Sequence, residues 1–245
     1  MRSDQPLPLR STPLSSQQRS QGEQPLVIIV DDDVSVREAL HDLILSAGFK
    51  PVAFSSTREL LGAEVLDSPG CLILDVRMPG ASGLELQRHL AQNGNPKPII
   101  FLTGHGDIPM TVQAMKAGAV DFLTKPARDQ TLLDAVAAGI AVDAARRAEA
   151  AVVKRNVERF DTLTPRECEV LREVACGRLN KQIAFDLGIS EVTVKLHRGN
   201  VMRKMEAASI GELIRAWETL PAAMREASAP HSRVNRSAPA SGRIA

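Results

Sequence analysis

Along the first half of the chain, short uninterrupted apolar runs alternate with stretches in which apolar residues recur every three or four positions. Leu26 to Val30, Pro51 to Phe54, Cys71 to Leu74, Pro98 to Leu102 and Ala119 to Leu123 read as five strands. Amphipathic segments near 34–47, 57–63, 83–92 and 108–117, with a fifth opening at Asp129, read as helices. Continuous apolar runs suit strands covered on both faces, and five strand-then-helix repeats predict an α/β domain built on a doubly wound, parallel five-stranded sheet.

The pattern then changes. From Asp129 to about Phe160 the chain is rich in Ala, Arg, Glu and Val and has no Gly or Pro after Gly139. The fifth helix is therefore expected to continue as a connector, on the order of 45 Å long if unbroken. Leu133, Val136, Ile140, Ala144, Ala148, Ala151 and Arg155 fall on one stripe, which suits either a coiled-coil seam between two chains or a single amphipathic linker. Thr164-Pro165-Arg166-Glu167 combines an N-cap, a proline at the first helical position and a supporting carboxylate. Helices near 165–176, 180–187, 191–205 and 209–220, with Gly188 and Ser190 between the second and third, predict an all-α four-helix module of helix-turn-helix type. The expected division is 25–128 for the α/β core, 129–160 for its last helix and the linker, and 161–220 for the helical module. Residues 1–24 and 221–245 are polar, Ser- and Pro-containing and without apolar period, so both are expected to be disordered.

Composition narrows the class. A chain of 245 residues with 44% hydrophobic and 24% charged residues is that of one or two ordinary globular domains. The longest apolar run, Ala135 to Val142, falls far short of the roughly 20 residues of a membrane span. No basic head followed by an apolar core is visible in the first 25 residues, so a cytoplasmic location without membrane contact is expected. Cys71, Cys168 and Cys176 form no CxxC pair and are expected to be reduced core thiols. The net charge of +1 hides an asymmetry: residues 24–143 carry 9 basic and 15 acidic side chains, whereas residues 144–245 carry 18 and 12. An acidic half joined to a basic half hints at a regulatory unit tethered to a nucleic-acid reader.

In open parallel sheets, ligands bind beyond the carboxyl ends of the strands. There this sequence places Asp31, Asp32 and Asp33 after the first strand, Asp75 after the third, Thr103 after the fourth and Lys125 after the fifth. Gathered aspartates call for a hard divalent cation, Mg²⁺ above all, and beside it Asp75 has the chemistry to attack phosphorus as a nucleophile. Lys125 and Thr103 are the groups to neutralise and hydrogen-bond the transferred oxygens. Asp33 alone is better read as a helix cap.

Val30-Asp31-Asp32-Asp33, Leu74-Asp75-Val76-Arg77-Met78-Pro79-Gly80, Phe101-Leu102-Thr103-Gly104 and Lys125-Pro126 resemble, in order, the motifs of the receiver domain of two-component response regulators. The resemblance covers residues 26–142 and implies a flavodoxin-like fold. It implies Asp75 as the residue phosphorylated by a sensor histidine kinase, with Asp32 and Asp75 as direct Mg²⁺ ligands, Asp31 acting largely through water, and the Arg77 backbone carbonyl as the third protein ligand. It further implies Phe122 as the aromatic whose rotamer follows Thr103, a cis Lys125-Pro126 bond, and pairing of two chains through the fourth helix and fifth strand after phosphorylation. His105 is read as an exposed loop residue, and Met110, Val112 and Met115 as packing residues.

The second half resembles a LuxR-type helix-turn-helix at Leu163-Thr164-Pro165-Arg166-Glu167, Asn180-Lys181-Gln182-Ile183-Ala184, Leu187-Gly188-Ile189-Ser190 and Thr193-Val194-Lys195-Leu196-His197. Together the two halves are similar to the NarL/FixJ class of response regulators over about residues 26–220. Periodicity supports this independently: Val194, Val201 and Met205 stack inward on the third helix, which turns Val192, Leu196, Gly199 and Arg203 outward with Lys195 and Asn200 on the flanks. An outward leucine suits a thymine methyl in the major groove, and a lysine suits guanine. Lys181, Thr193, Lys195, Leu196, Arg198, Gly199, Asn200, Arg203 and Lys204 are accordingly the candidate DNA contacts, with Lys195, Arg198, Arg203 and Lys204 forming a basic strip suited to phosphates. The plain alternative is a solvated basic face. His197 is read as a packed histidine, and Trp217, Ile210, Leu213 and Ile214 as a core stripe that LuxR-type modules also use for pairing. Gly199 and Cys168 depart from the family pattern, which more often has a longer side chain at the first and Arg at the second.

The function implied is phosphorylation-controlled transcription: a kinase donates phosphate to Asp75, two chains associate, and paired recognition helices engage double-stranded DNA, with RNA polymerase a further possible partner. Two rivals stand beside it. One is a phosphate-independent regulator whose receiver serves only protein contacts. The other is a Mg²⁺-dependent phosphohydrolase using Asp75, against which stands Arg77 where such enzymes place a second acid; beyond phosphoryl uptake and slow autodephosphorylation no enzyme activity is expected.

Overall fold

A computed structural model of the chain describes residues 24–104 and 106–227. The expectations for residues 1–23, His105 and 228–245 lie outside the described residues. The chain divides into two compact units after Ala144.

The first unit runs β1 (Leu26–Val30), α1 (Val34–Ser46), β2 (Lys50–Phe54), α2 (Thr57–Leu61), β3 (Gly70–Leu74), α3 (Gly83–Gln92), β4 (Ile99–Thr103), α4 (Ile108–Lys116), β5 (Asp121–Thr124) and the first part of α5 (Asp129–Phe160). All strands pair in parallel in the order β2-β1-β3-β4-β5, the doubly wound topology expected. Alternation along the strands builds two apolar layers. Ile28, Val30, Leu72, Leu74 and Phe101 meet Leu60, Leu86, Leu90 and Ala114 on one face. Val27, Ile29, Cys71, Ile73 and Ile100 meet Leu40, Ile44, Leu132, Ala135 and Val136 on the other. Because β1, β3 and β4 are buried along their whole length, their apolar runs needed no alternation to be legible.

β5 starts two residues later than the apolar run suggests. Ala119 N–H donates to the Ala114 carbonyl and closes the end of α4, so Ala119 belongs to that turn. Leu133, Val136 and Ile140 of the linker stripe pack into the first unit's own core, whereas Ala144, Ala148, Ala151 and Arg155 are exposed. The first half of that stripe is thus not a seam between chains.

The second unit consists of the end of α5, α6 (Pro165–Ala175), α7 (Asn180–Leu187), α8 (Glu191–Lys204), α9 (Ile210–Glu218) and α10 (Ala222–Ala227). Thr164 and Glu167 form the expected capping box with Pro165 in the first turn. Gly188 ends α7 in the left-handed region at φ 66°, which turns the chain into the Ser190 cap of α8. Phe160, Val170, Leu171, Ile183, Val194, Val201, Met205, Leu213 and Trp217 form the core, with Phe160 and Trp217 ring centroids 6.1 Å apart. The helix α10 corrects the expectation of disorder from residue 221: Met224 packs partly against this core, an anchor that composition alone concealed.

The cysteines also need correction. Cys71 is a core thiol, and burial pushes its pKa up to about 12. Cys168 is half-buried, while Cys176 is exposed because it caps the end of α6 and does not face the core. In the folded chain a maleimide is expected to label Cys176 first and Cys71 only after unfolding. Peptide mapping after timed labelling checks this, and equal labelling of Cys71 and Cys176 in native protein would refute it.

Candidate functional site

Three loops at the carboxyl end of the sheet bring the acidic residues together. β1 ends directly at Asp31, β3 at Asp75 and β5 just before Lys125. Asp33 caps α1 by accepting the N–H of Ser35 at 2.8 Å and of Val36 at 3.4 Å, and donates its own N–H to Asp31 Oδ1 at 3.0 Å. That cap is the role its position suggested. Gly83 permits the close passage of α3: a Cβ there would lie 2.3 Å from the Asp75 carbonyl oxygen.

Asp31 and Asp75 are buried, with 2% and 7% exposure, and Asp32 is exposed. One carboxylate oxygen from each of the three lies within 4.8 Å of the others, the only such group among the described residues. Lys125 Nζ donates to Asp31 Oδ2 at 2.5 Å and to Asp75 Oδ2 at 2.7 Å. Burial works against the lysine's charge, but the bonds from Asp31 and Asp75 outweigh it and raise its pKa. Burial raises the pKa of Asp31, and the Lys125 bond opposes that shift. Arg77 donates its backbone N–H to Asp75 Oδ1 at 3.1 Å.

Thr103 is buried at the end of β4, and its carbonyl accepts the Lys125 N–H at 2.9 Å. Phe122 is half-buried on β5 and packs on Phe101, ring centroids 5.8 Å apart. The Lys125-Pro126 bond is cis. Sequence reasoning missed Arg37, whose Nη1 donates to the Asp31 carbonyl at 2.7 Å. Only its place one turn into α1 signalled it.

A trio of oxygen-only carboxylates around one small hollow fits Mg²⁺, a hard cation that takes oxygen ligands.

In the second unit, Lys181, Lys195, Leu196, Gly199 and Arg203 are exposed, and Thr193, Arg198, Asn200 and Lys204 are half-buried. Val194, Val201 and Met205 are buried, as the helical periodicity required. Thr193 belongs to the cap: its N–H donates to Ser190 Oγ at 3.1 Å, and the two hydroxyls lie 2.8 Å apart. Arg198 donates to Asn180 Oδ1 at 2.6 Å, a bond between α8 and α7.

Lys204 requires a correction. Its Nζ donates to Glu167 Oε2 at 2.6 Å and to the Thr162 carbonyl at 2.9 Å, so it turns away from the outward strip and ties α8 to the start of α6. Counting basic residues could not separate it from Arg203, its exposed neighbour. His197 is half-buried, and its Nδ1 has no hydrogen-bond partner among the described residues.

Residues 27–137 match the family described as response regulator receiver domain, and residues 161–217 match that described as bacterial regulatory proteins, luxR family. Nodulation protein W of Bradyrhizobium diazoefficiens is 53% identical over 195 residues, which is 80% of this chain and 86% of that protein. Transcriptional regulatory protein FixJ of Azorhizobium caulinodans is 44% identical over 77% of this chain and 90% of its own length. The solved structure of response regulator StyR is 48% identical with a TM-score of 0.72, covering 80% of this chain and 98% of that one. Among the described residues no helix is long and apolar enough to cross a membrane. The chain thus belongs to the two-component response regulators of the NarL/FixJ class, with a receiver domain followed by a LuxR-type DNA-binding domain.

Proposed function

We propose that Asp75 accepts a phosphoryl group from a sensor histidine kinase, and that this drives two chains together on a promoter or operator in the cytoplasm. The observation that carries the reading is the pair of buried carboxylates from different strands, Asp31 and Asp75, that share the Lys125 ammonium beside exposed Asp32. A structural ion pair needs one carboxylate. Lys125 bonds two of the three acids and offsets part of their charge, and the remainder suits a bound cation beside a phosphoryl acceptor.

An Asp75 oxygen forms the new bond to phosphorus while the P–N bond of the donor phosphohistidine breaks and its electron pair returns to the imidazole. Asp31, Asp32, Asp75 and the Arg77 carbonyl would hold Mg²⁺, which when bound offsets the charge of the carboxylates and of the transferred oxygens. Lys125, 2.7 Å from Asp75 Oδ2, is placed to follow the developing charge onto a phosphoryl oxygen. The Thr103 hydroxyl takes another, and Phe122 follows Thr103, a shift that biases the receiver toward its pairing form. Exposed Ile108, Val112 and Met115 on α4 supply apolar area for that pairing; of the three residues the sequence suggested for packing, only Met110 lies against the core. Two α8 helices then read two half-sites, with Lys181, Lys195, Arg198, Asn200 and Arg203 as the polar contacts. RNA polymerase is the partner that would turn occupancy into altered transcription.

Beryllofluoride with Mg²⁺ tests this on the full chain as a stand-in for the aspartyl phosphate. The adduct is expected to shift light-scattering mass from monomer toward dimer and to tighten binding to duplexes selected from a random pool by roughly 5- to 150-fold. Affinity that does not respond to the adduct would favour the phosphate-independent reading.

A further inference from the structure

Gly199 lies inside α8, five residues before the last residue of the helix, where glycine costs roughly 1 kcal/mol relative to alanine. Helices accept that cost for one of three usual reasons, and none applies here. The residue is not in the left-handed region, since the positive-φ glycines among the described residues are Gly48, Gly70, Gly80, Gly94, Gly118, Gly177 and Gly188. It does not end the helix, because Met205 is the C-cap. Nor does any neighbour press on it: beyond the adjoining backbone of α8 itself, a Cβ built at Gly199 meets no atom of the described residues within 4 Å. Gly83 and Gly139 are different, for there a Cβ would lie 2.3 Å from the Asp75 carbonyl and 3.0 Å from Cys71. Nothing among the described residues requires the missing side chain, so its purpose is sought outside them.

The surroundings say what approaches. Val192, Leu196, Gly199 and Arg203 stand at i, i+4, i+7 and i+11, one face of the helix, and all four are exposed. Val192 is 76% and Leu196 63% exposed, a large apolar area to leave in water on a helix whose other face is buried at Val194, Val201 and Met205. Relative to an alanine, the surface along this face drops at Gly199 by the length of one C–C bond, about 1.5 Å, which leaves a notch with Leu196 as its apolar wall and Arg203 on the other side.

We infer that Gly199 is a specificity-determining residue: its bare backbone lets α8 sit deep in the major groove, so that the notch beside Leu196 receives the methyl group of one thymine. Glycine is the residue that allows a backbone to approach a ligand this closely, and the thymine methyl is the one apolar feature of the major-groove edge. The inference rests on α8 being the helix that enters the groove.

The test compares wild type and Gly199→Ala, both as full chains activated by beryllofluoride and Mg²⁺, on duplexes that the wild type selects from a random pool. Gly199→Ala is expected to melt at a higher temperature because alanine favours the helix, yet to bind the selected duplex about 10-fold more weakly, within the range of one lost base contact. Replacing the critical thymine by uracil removes only its methyl. This should weaken the wild type about 4-fold, the worth of one buried methyl-sized group, and barely affect the variant. Equal affinity of the two proteins for the selected duplex would overturn the inference, as would a wild type indifferent to uracil at every selected thymine. A wild type that selects no sequence would overturn the groove reading of α8, and this inference with it.

Discussion

Asp75→Asn is expected to reduce phosphoryl incorporation from a small-molecule phosphodonor with Mg²⁺ to background, while the chain stays folded. The carboxylate is the nucleophile, and an amide oxygen of the same size has neither the charge nor the basicity to hold phosphorus. The fold should survive because the asparagine oxygen still accepts the Arg77 N–H, 3.1 Å from the present Oδ1. Lys125 keeps its 2.5 Å bond to Asp31 but loses the one to Asp75, where an amide N–H₂ would face its ammonium. Setting donor against donor costs about 1–3 kcal/mol at a buried site, which lowers stability without unfolding the receiver. Labelled phosphoramidate followed by mass spectrometry of the intact chain reads the result. Retention of label by the variant would move the nucleophile elsewhere, with Asp32 the next candidate because it is the exposed acid of the group.

The receiver half was legible because its signals are local and redundant. The buried strands β1, β3 and β4 show as apolar runs, and each ends in a residue whose polarity has no other reason to be there. The acidic hollow needed only the rule that strand ends converge on one side of a parallel sheet. What escaped was set by contacts distant in sequence. Arg37 reaches back to the Asp31 carbonyl across the cap of α1, and Met224 finds the module core from a segment that composition gave up to disorder. Periodicity sorted α8 into inward and outward faces, but it could not say whether a long, flexible lysine at the edge reaches for solvent or for a carboxylate two helices away. Cys176 was misjudged for a related reason, since one residue past the end of α6 the helical period no longer predicts burial.

That unresolved lysine gives the largest stability effect. Lys204→Met should destabilise the DNA-binding domain by about 3 kcal/mol, the lower end for stranding the buried member of an ion pair. For a domain of this size that lowers its melting midpoint by roughly 12–24 °C. Glu167 is 5% exposed in its side chain and would be left with its bonds to Thr164, the N–H among them at 2.9 Å, and no cation beside it. Its pKa in the native chain sets the sign with pH: burial works to raise it, but the Lys204 and Thr164 bonds prevail and hold it below the usual carboxylate value. The pair therefore contributes fully above the unfolded carboxylate pKa of about 4.3 and fades as pH falls through the lower folded value. In Lys204→Met the same burial is opposed less and pushes Glu167 upward, so acid that protonates it relieves the defect. The gap in stability between wild type and variant should be wide at neutral pH and narrow toward pH 4. Replacing Glu167 by Leu as well should recover much of the loss, since an apolar pair removes the stranded charge. A lysine serving only as a phosphate contact would behave differently: its loss would leave the melting midpoint unchanged and lower the salt dependence of DNA binding by about one counterion. Thermal melts of the two variants across pH, beside a salt titration of DNA affinity, separate the two roles, and a gap that does not change with pH would return Lys204 to the DNA face.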